Sequence, residues 1–245
     1  MTALLDASGV PDRFTAPLYT LAEASQFLGV PSSTLHSWAR GYRKQRVTAA
    51  DVVGEPILTT VQKPTGVRGP LVPFVGLAEG LVLAGMRRSG VPLQRIRPAL
   101  SELDRQFGLT HALASRRLYT DGAEVLYDFA DSADDETATA LRNLVVVRSG
   151  QRVFVEVMQQ YLKRIEFDSA GWAQLLHLPG YEVADVVVDP SRGFGQPIFE
   201  RGGARVQDAL EMFRAGEALA VVAEEYRVPL EQLEDAVRVA MPHAA

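Results

Sequence analysis

The chain of 245 residues contains no cysteine. That excludes disulfides, zinc–thiolate sites and thiol nucleophiles together. Histidine is scarce as well: His36, His111, His177 and His243 are scattered and form no pair at metal-ligand spacing, so no metal is expected. Long apolar runs are missing. The most hydrophobic window, FVGLAEGLVLAGM (74–86), has a glutamate inside it and is too short to span a bilayer. The opening stretch MTALLDASGVPDRF has neither a basic start nor an apolar core, so no signal peptide, no membrane partner and a cytoplasmic location are expected. Nucleophile elbow, P-loop and dinucleotide fingerprint are all absent, and the paired acids Asp134–Asp135 have no convergent ligands. The expectation is a protein that is not an enzyme and holds no cofactor.

What is present is an ordinary globular composition, 47% hydrophobic and 22% charged, in a length that allows one or two domains. The net charge of −5 hides an asymmetry. Residues 1–100 carry 11 Lys+Arg and 6 Asp+Glu, whereas residues 101–245 carry 14 and 24. A basic front and an acidic back imply different partners for the two parts.

The front contains LYTLAEASQFLGVPSSTLHSWARGYRK (18–44). Thr20 and Glu23 have capping-box spacing, and Leu21, Ala24, Phe27 and Leu28 make one buried face. Gly29 permits a sharp turn, and Ser32 or Ser33 is expected to cap a second helix whose Leu35 and Trp38 return to the core. Ser33, Thr34, His36, Ser37 and Arg40 then face outward, with Ser32 at the helix start; hydroxyls, imidazole and guanidinium suit base edges and phosphates in a major groove. Arg40, Arg43, Lys44 and Arg46 cluster just past that helix, placed for phosphates. PILTTVQ (56–62) alternates like a strand, KPTGVRG (63–69) reads as a loop with Lys63 and Arg68 near its tip, and LVPF (71–74) as a return strand, together a wing. Two helices close the unit, and Arg87, Arg88, Arg95 and Arg97 on them read as solvated charges.

In the middle, RLYTDGAEVLYDF is expected as a hairpin turning at Asp121-Gly122. FADSADDETATALRN reads as an exposed loop or short helix, NLVVVRSGQ as a strand and turn, and RVFVEVMQQYLKRIEFD as a helix running into a strand. Toward the end, Val186–Val188 is a strand stopped by Asp189-Pro190, SRGFGQP a loop, and PIF a second strand. Three helices follow at 204–214, about 217–226 and about 229–240. The last two have the rhythm of a helix-turn-helix, yet EEYRVPLEQLEDAVR carries Glu224, Glu225, Glu231, Glu234 and Asp235 against Arg227 and Arg238. Outward acids would repel phosphates, so this pair suits a basic protein partner or water.

YTLAEASQFLGVPSSTLHSWAR, with its wing and FVGLAEGLVLAGMRRSGVPLQRIRPAL, resembles the winged helix-turn-helix of MerR-like regulators. The resemblance implies that 32–40 reads the major groove and 63–69 is the wing. The long dimerising coiled coil of many such regulators is missing. The pattern DP…FGQP…GGARV…GE…VAEEYRVPLEQLEDAVR resembles small uncharacterised domains of VapB-like antitoxins, with Arg227 standing where a glycine is commoner. The whole chain is similar to the longer VapB antitoxins. This implies an antitoxin that silences a VapC-type PIN-domain ribonuclease and represses its own operon by binding operator DNA as a homodimer. Arg192, Arg201 and Arg205 are the candidate toxin-contacting arginines. A MerR-like regulator sensing a small molecule through its middle region is the alternative. The expected fold is mainly α with small β-sheets (α+β): a flexible 1–17, a winged helix-turn-helix over 18–108, a mixed α/β segment over 109–182, and a strand pair plus three-helix bundle over 183–245.

Overall fold

A computed structural model of the chain describes residues 12–44, 52–62, 69–148 and 151–241. Thr20 opens the first helix, α1 (Leu21–Leu28), by the predicted box: its backbone N–H donates to Glu23 Oε2 at 2.8 Å and its Oγ1 accepts from Glu23 N–H at 3.2 Å. Gly29 ends α1 at φ 62, and Pro31 sets the start of α2 (Ser32–Arg40). Neither Ser32 nor Ser33 caps α2, a correction to the expectation; Ser32 Oγ instead meets the buried Ser25 Oγ at 3.1 Å. Leu35 and Trp38 are buried as expected, while Phe27 is half-buried, edge-on to Tyr19 at 5.9 Å.

The hairpin after α2 pairs β1 (Tyr42–Lys44) with β2 (Val52–Gly54), Arg43 opposite Val53. The expected strands lie further on, so the wing boundaries need correcting. Residues 56–62 run irregularly, held to the return segment by Val61 N–H to the Leu71 carbonyl (2.8 Å), and Phe74 already begins a helix. The loop 63–68 and its Lys63 and Arg68, like Arg46, lie outside the described residues.

The helix α3 (Phe74–Arg88) is buried from Phe74 to Met86. The run that was too short for a membrane is a central core helix, apolar all round because neighbours cover every face. Two glycines admit those neighbours: a Cβ on Gly80 would lie 2.6 Å from Leu28 Cδ1, and one on Gly85 2.8 Å from Tyr161 Cβ. Then come α4 (Leu93–Phe107), α5 (Arg116–Ala130), α6 (Asp135–Arg142), the hairpin β3 (Val145–Arg148) and β4 (Gln151–Phe154), α7 (Glu156–Leu162) and β5 (Ile165–Phe167).

The segment expected as a hairpin at Asp121-Gly122 is the helix α5. Leu118, Gly122, Leu126 and Ala130, four apart, form its buried stripe. In α6, Asp134 is the N-cap, accepting from Thr137 N–H at 3.0 Å, and Ala138, Ala140 and Leu141 are buried, so of the two expected forms this stretch takes the short helix, packed rather than exposed. Residues 151–154 are strand, with the expected helix starting only at Glu156.

Residues Arg13–Ala173 form one compact unit and Gln174–Ala245 the body of a second. Residues 109–182 are expected as a separate middle segment, but those up to Ala173 cluster with the helix-turn-helix. Within 12–17, Arg13 is tied down: its Nη1 donates to Asp168 Oδ2 (2.7 Å) and to the Ala173 carbonyl (3.0 Å).

The second unit contains β6 (Ala173–His177) from Gln174 onward, β7 (Val186–Val188) and β8 (Ile198–Phe199), antiparallel in that order. Leu175, Val187 and Ile198 form one buried cluster across the sheet, and Leu176, Val186, Val188 and Phe199 are buried as well. The three helices α8 (Val206–Arg214), α9 (Leu219–Tyr226) and α10 (Leu230–Ala240) follow as expected, with Val206, Leu210, Val222 and Leu233 buried. The fold is mainly helical with small antiparallel sheets, the α+β class. No helix among the described residues is long and apolar enough to cross a membrane.

Candidate nucleic-acid interface and partner surface

The second helix turns its polar edge to solvent because Leu35, Trp38 and Ala39 hold the other edge in the core. Ser32, Ser33, His36 and Arg40 are exposed, and Thr34 and Ser37 half-buried. Some of these groups are already engaged: Ser37 Oγ donates to the Ser33 carbonyl at 3.0 Å, and His36 Nδ1 to the Ser32 carbonyl at 3.2 Å. That bond leaves His36 Nε2 as the ring atom facing outward. Arg40 ends α2 and Arg43 follows in β1; both are exposed, and neither has an ion-pair partner among the described residues. The backbone of Lys44 pairs with Val52, which keeps this residue in the same hairpin.

The hairpin is fixed at its root. Arg97 donates to the Glu55 carbonyl and lies over the Tyr42 ring at 5.6 Å. Burial lowers the Arg97 pKa from its ordinary value, against the opposing pull of Tyr42 and Glu55. A Cβ on Gly41 would lie 2.3 Å from the Gly54 carbonyl oxygen, so the strands meet where only glycine fits. Of the arginines read as solvated, Arg97 is therefore a strut, and Arg88 donates to Tyr161 Oη at 3.2 Å.

Beneath this root lies Glu79, buried in α3 although charged. It accepts from Thr59 N–H (2.7 Å), Thr59 Oγ1 (3.0 Å) and His111 Nδ1 (3.0 Å). The hydrogen bond to Glu79 raises the His111 pKa above the ordinary imidazole value although burial opposes it. Burial raises the neighbouring Asp104, which accepts from Ala112 N–H.

In the second unit, Asp189 Oδ1 accepts from Ser191 N–H and Oγ (2.8 and 2.6 Å), and Oδ2 accepts from Arg192 Nε (2.8 Å). The loop that follows puts Gly193, Phe194 and Gly195 all at positive φ (56, 55 and 75). For phenylalanine that conformation costs on the order of 1–3 kcal/mol. Arg205 precedes α8 and is paired with Asp208 at 2.8 Å, whereas Arg201 is exposed without an ion-pair partner among the described residues. Two of the three candidate arginines are thus neighbours of one loop, since a Cβ on Gly193 would lie 3.7 Å from Arg205 Cγ.

The acids of the last two helices divide. Glu224, Glu225, Glu231 and Glu234 are exposed, but Asp235 is buried, a correction to its reading as an outward charge. Its Oδ2 accepts from three successive backbone N–H groups, Glu182 (2.8 Å), Val183 (2.7 Å) and Ala184 (2.9 Å), and Oδ1 accepts from Arg238. Burial alone would raise its pKa; the three amides and Arg238 outweigh that and hold the carboxyl below its ordinary value. Burial, with Asp235 beside it, pushes Tyr181 up to about 12.

Residues 17–100 match the family described as "Putative DNA-binding HTH domain", and residues 186–240 that described as "Protein of unknown function (DUF433)". Over 92% of its length the chain is 49% identical to "Putative antitoxin VapB45" of Mycobacterium tuberculosis, covering 94% of that protein. The chain belongs to the VapB-type antitoxin family. A second relative from the same organism, "Uncharacterized protein Rv2308", is 28% identical over 97% of this chain and 94% of its own. The crystal structure of Rv2018 from Mycobacterium tuberculosis matches with a TM-score of 0.81 at 46% identity, covering 92% of this chain and all of that one.

Family membership gives the geometry at Arg227 a meaning. The residue occupies the turn between α9 and α10 at φ 54, where its N–H reaches the Glu224 carbonyl and Val228 N–H the Ala223 carbonyl. A left-handed turn favours glycine, so the arginine here carries backbone strain that glycine would not. Arg227→Gly is expected to raise stability by about 0.5–1 kcal/mol, read as a higher unfolding midpoint in urea; a lower midpoint would mean that the exposed arginine side chain matters more than the turn. Sequence reasoning missed Glu79, Asp235 and Phe194 as structural centres. Only Glu79 gave a local signal, as a charge inside an apolar run.

Proposed function

We propose that this chain is a DNA-binding antitoxin that neutralises a cognate VapC-type PIN-domain ribonuclease in the cytoplasm and represses its own operon. The observation that carries the reading is the division of chemistry between the two units. The first presents Arg40 and Arg43, neither with an ion-pair partner among the described residues, beside an exposed polar helix. The second carries 12 acidic residues against 6 arginines over 174–245. Phosphates attract the first surface, and a basic RNA-gripping nuclease is complementary to the second. In this reading Ser32, Ser33, Thr34, His36 and Ser37 face base edges, while Arg40, Arg43, Lys44 and Arg46, with Lys63 and Arg68 further along the chain, contact phosphates. A homodimer would place two α2 helices one helical turn (~34 Å) apart. No catalytic role is assigned to any residue.

Two experiments test this. Co-expression with the adjacent gene should yield a stable complex with a small nuclease whose RNA cleavage is inhibited; an unrelated neighbour that does not co-purify would sink the antitoxin reading. Gel shifts on the upstream DNA test the other half. Arg40→Ala with Arg43→Ala should weaken binding and flatten the dependence of log K on log salt by roughly 0.9 for each phosphate no longer neutralised. An unchanged slope would move the DNA surface elsewhere.

A second reading, a regulator that senses a small molecule, is favoured by one feature: a cavity of about 490 Å³ at the hairpin root, lined by Glu79, Arg97, Asp104 and His111 among others. A ligand there would press on the segment that carries the wing.

A further inference from the structure

Phe194 combines two unfavourable conditions. Its backbone is left-handed (φ 55, ψ 31), which crowds any side chain that has a Cβ. Its ring is 82% exposed, so burial offsets none of that strain. The loop around it is nonetheless well fixed. Gly195 N–H donates to the Arg192 carbonyl and Gln196 N–H to the Gly193 carbonyl, both at 3.0 Å, in addition to the Asp189 bonds to Ser191 and Arg192. Ile198 closes the back, since a Cβ on Gly193 would lie 2.8 Å from its Cγ2. The result is a hydrogen-bonded loop that holds a phenyl ring in water, with Arg192 two residues before it and Arg205 against the adjoining Gly193. Strain held at a residue with no packing role inside its own fold points to a role outside it.

We propose that Phe194 is the aromatic anchor by which the second unit seats in an apolar pocket of the toxin, with Arg192 and Arg205 on the rim of that contact. This rests on the antitoxin reading above. Phenylalanine beside arginine is the composition of an interface centre, and a fixed loop loses little freedom on docking. The charge balance of the unit, 12 acids to 6 arginines, disfavours nucleic acid or an anionic bilayer as the occupant and leaves a protein surface.

The test uses the full chain and the purified nuclease encoded by the adjacent gene, with affinity measured by calorimetry for wild type, Phe194→Ala and Phe194→Gly. Both variants are expected to bind roughly 30-fold more weakly or worse, as for a central aromatic anchor. Both should shift operator DNA as wild type does, and the glycine variant should melt above wild type because φ 55 suits glycine. Nuclease affinity within about twofold of wild type in Phe194→Ala overturns the proposal while the antitoxin reading stands. If wild type itself fails to bind the nuclease, the antitoxin reading falls and the anchor with it. If Phe194→Ala keeps nuclease affinity but lowers the chain's own oligomeric state in light scattering, the ring belongs to a contact between copies and the proposal is wrong.

Discussion

Asp235→Ala is expected to cost the second unit about 3 kcal/mol, a large share of its stability and enough to raise its unfolded population about a hundredfold. A unit of this size has roughly 4–10 kcal/mol to lose, on a scale of 0.05–0.15 kcal/mol per residue. The carboxylate is 5% exposed and answers the N–H groups of Glu182, Val183 and Ala184 with one oxygen. Hydrogen bonds to a charged group contribute about 1.5–3 kcal/mol each, and the buried Ala184 amide would lose its acceptor without water to replace it. Asp235→Asn should lose less, because its carbonyl oxygen still accepts but carries no charge. Limited proteolysis and thermal melts check this: the C-terminal unit should be cleaved rapidly in the alanine variant while residues of the first unit stay protected. Equal protection of both units would show that the three amides find other acceptors. The pH dependence has a definite sign. The carboxyl's pKa is held below its unfolded value, so its contribution is present above the unfolded pKa and lost as pH falls through the folded one. Wild type should therefore lose stability below about pH 4, and Asp235→Asn should lack that component.

The second large effect is expected at Glu79. Glu79→Ala should destabilise the first unit by about 2–4 kcal/mol, since it removes the acceptor of Thr59 N–H, Thr59 Oγ1 and His111 together from a buried site. His111 would remain among Phe14 (5.4 Å) and Trp172 (6.5 Å) without its carboxylate. The midpoint of thermal unfolding should fall by roughly 2–4 °C per kcal/mol in a unit of this length. The raised pKa of His111 adds a second observable. Its stabilisation is complete below the unfolded value near 6.5 and is lost as pH rises through the folded value. Urea midpoints of wild type should thus decline from pH 6 toward pH 9, and His111→Gln should flatten the decline. A wild-type midpoint that rises over that range would show the imidazole to be neutral in the fold. Because Thr59 belongs to the segment following the hairpin, Glu79→Ala should also loosen operator binding more than a remote core substitution of equal destabilisation.

Local chemistry was the legible part of this sequence. Thr20, Glu23 and Gly29 define α1 by bonds within a few residues, and the three last helices are bounded by Gly216 and Pro229, so spacing alone located them. The turn dipeptide Asp121-Gly122 misled for the converse reason. Gly122 is there for packing: a Cβ would lie 2.8 Å from Leu118 Cδ1 and 3.3 Å from Phe154 Cζ, and the second of those neighbours comes from β4. A single short-range signal outweighed the four-residue periodicity running through it. The wing strands were displaced because 56–62 alternates yet forms no ladder among the described residues, its amides at Ile57 and Leu58 both reaching the Trp38 carbonyl and that of Val61 the Leu71 carbonyl, while a ladder forms around Arg43. At the candidate interface, the solvent-facing edge of α2 and the exposure of Arg40 and Arg43 were legible because exposure follows from amphipathic spacing. Asp235 was not, because nothing near it in sequence announces amide partners some fifty residues upstream.

That distance has a kinetic consequence. The clamp joins Glu182 near the start of the second unit to a residue in α10, 53 positions further along the chain. Closing so long a loop is entropically unfavourable, and the amides of 182–184 gain their acceptor only once Asp235 has been made. A chain cut short before Asp235 would leave those three amides without it and is expected to be a substrate for proteases, not a weaker antitoxin.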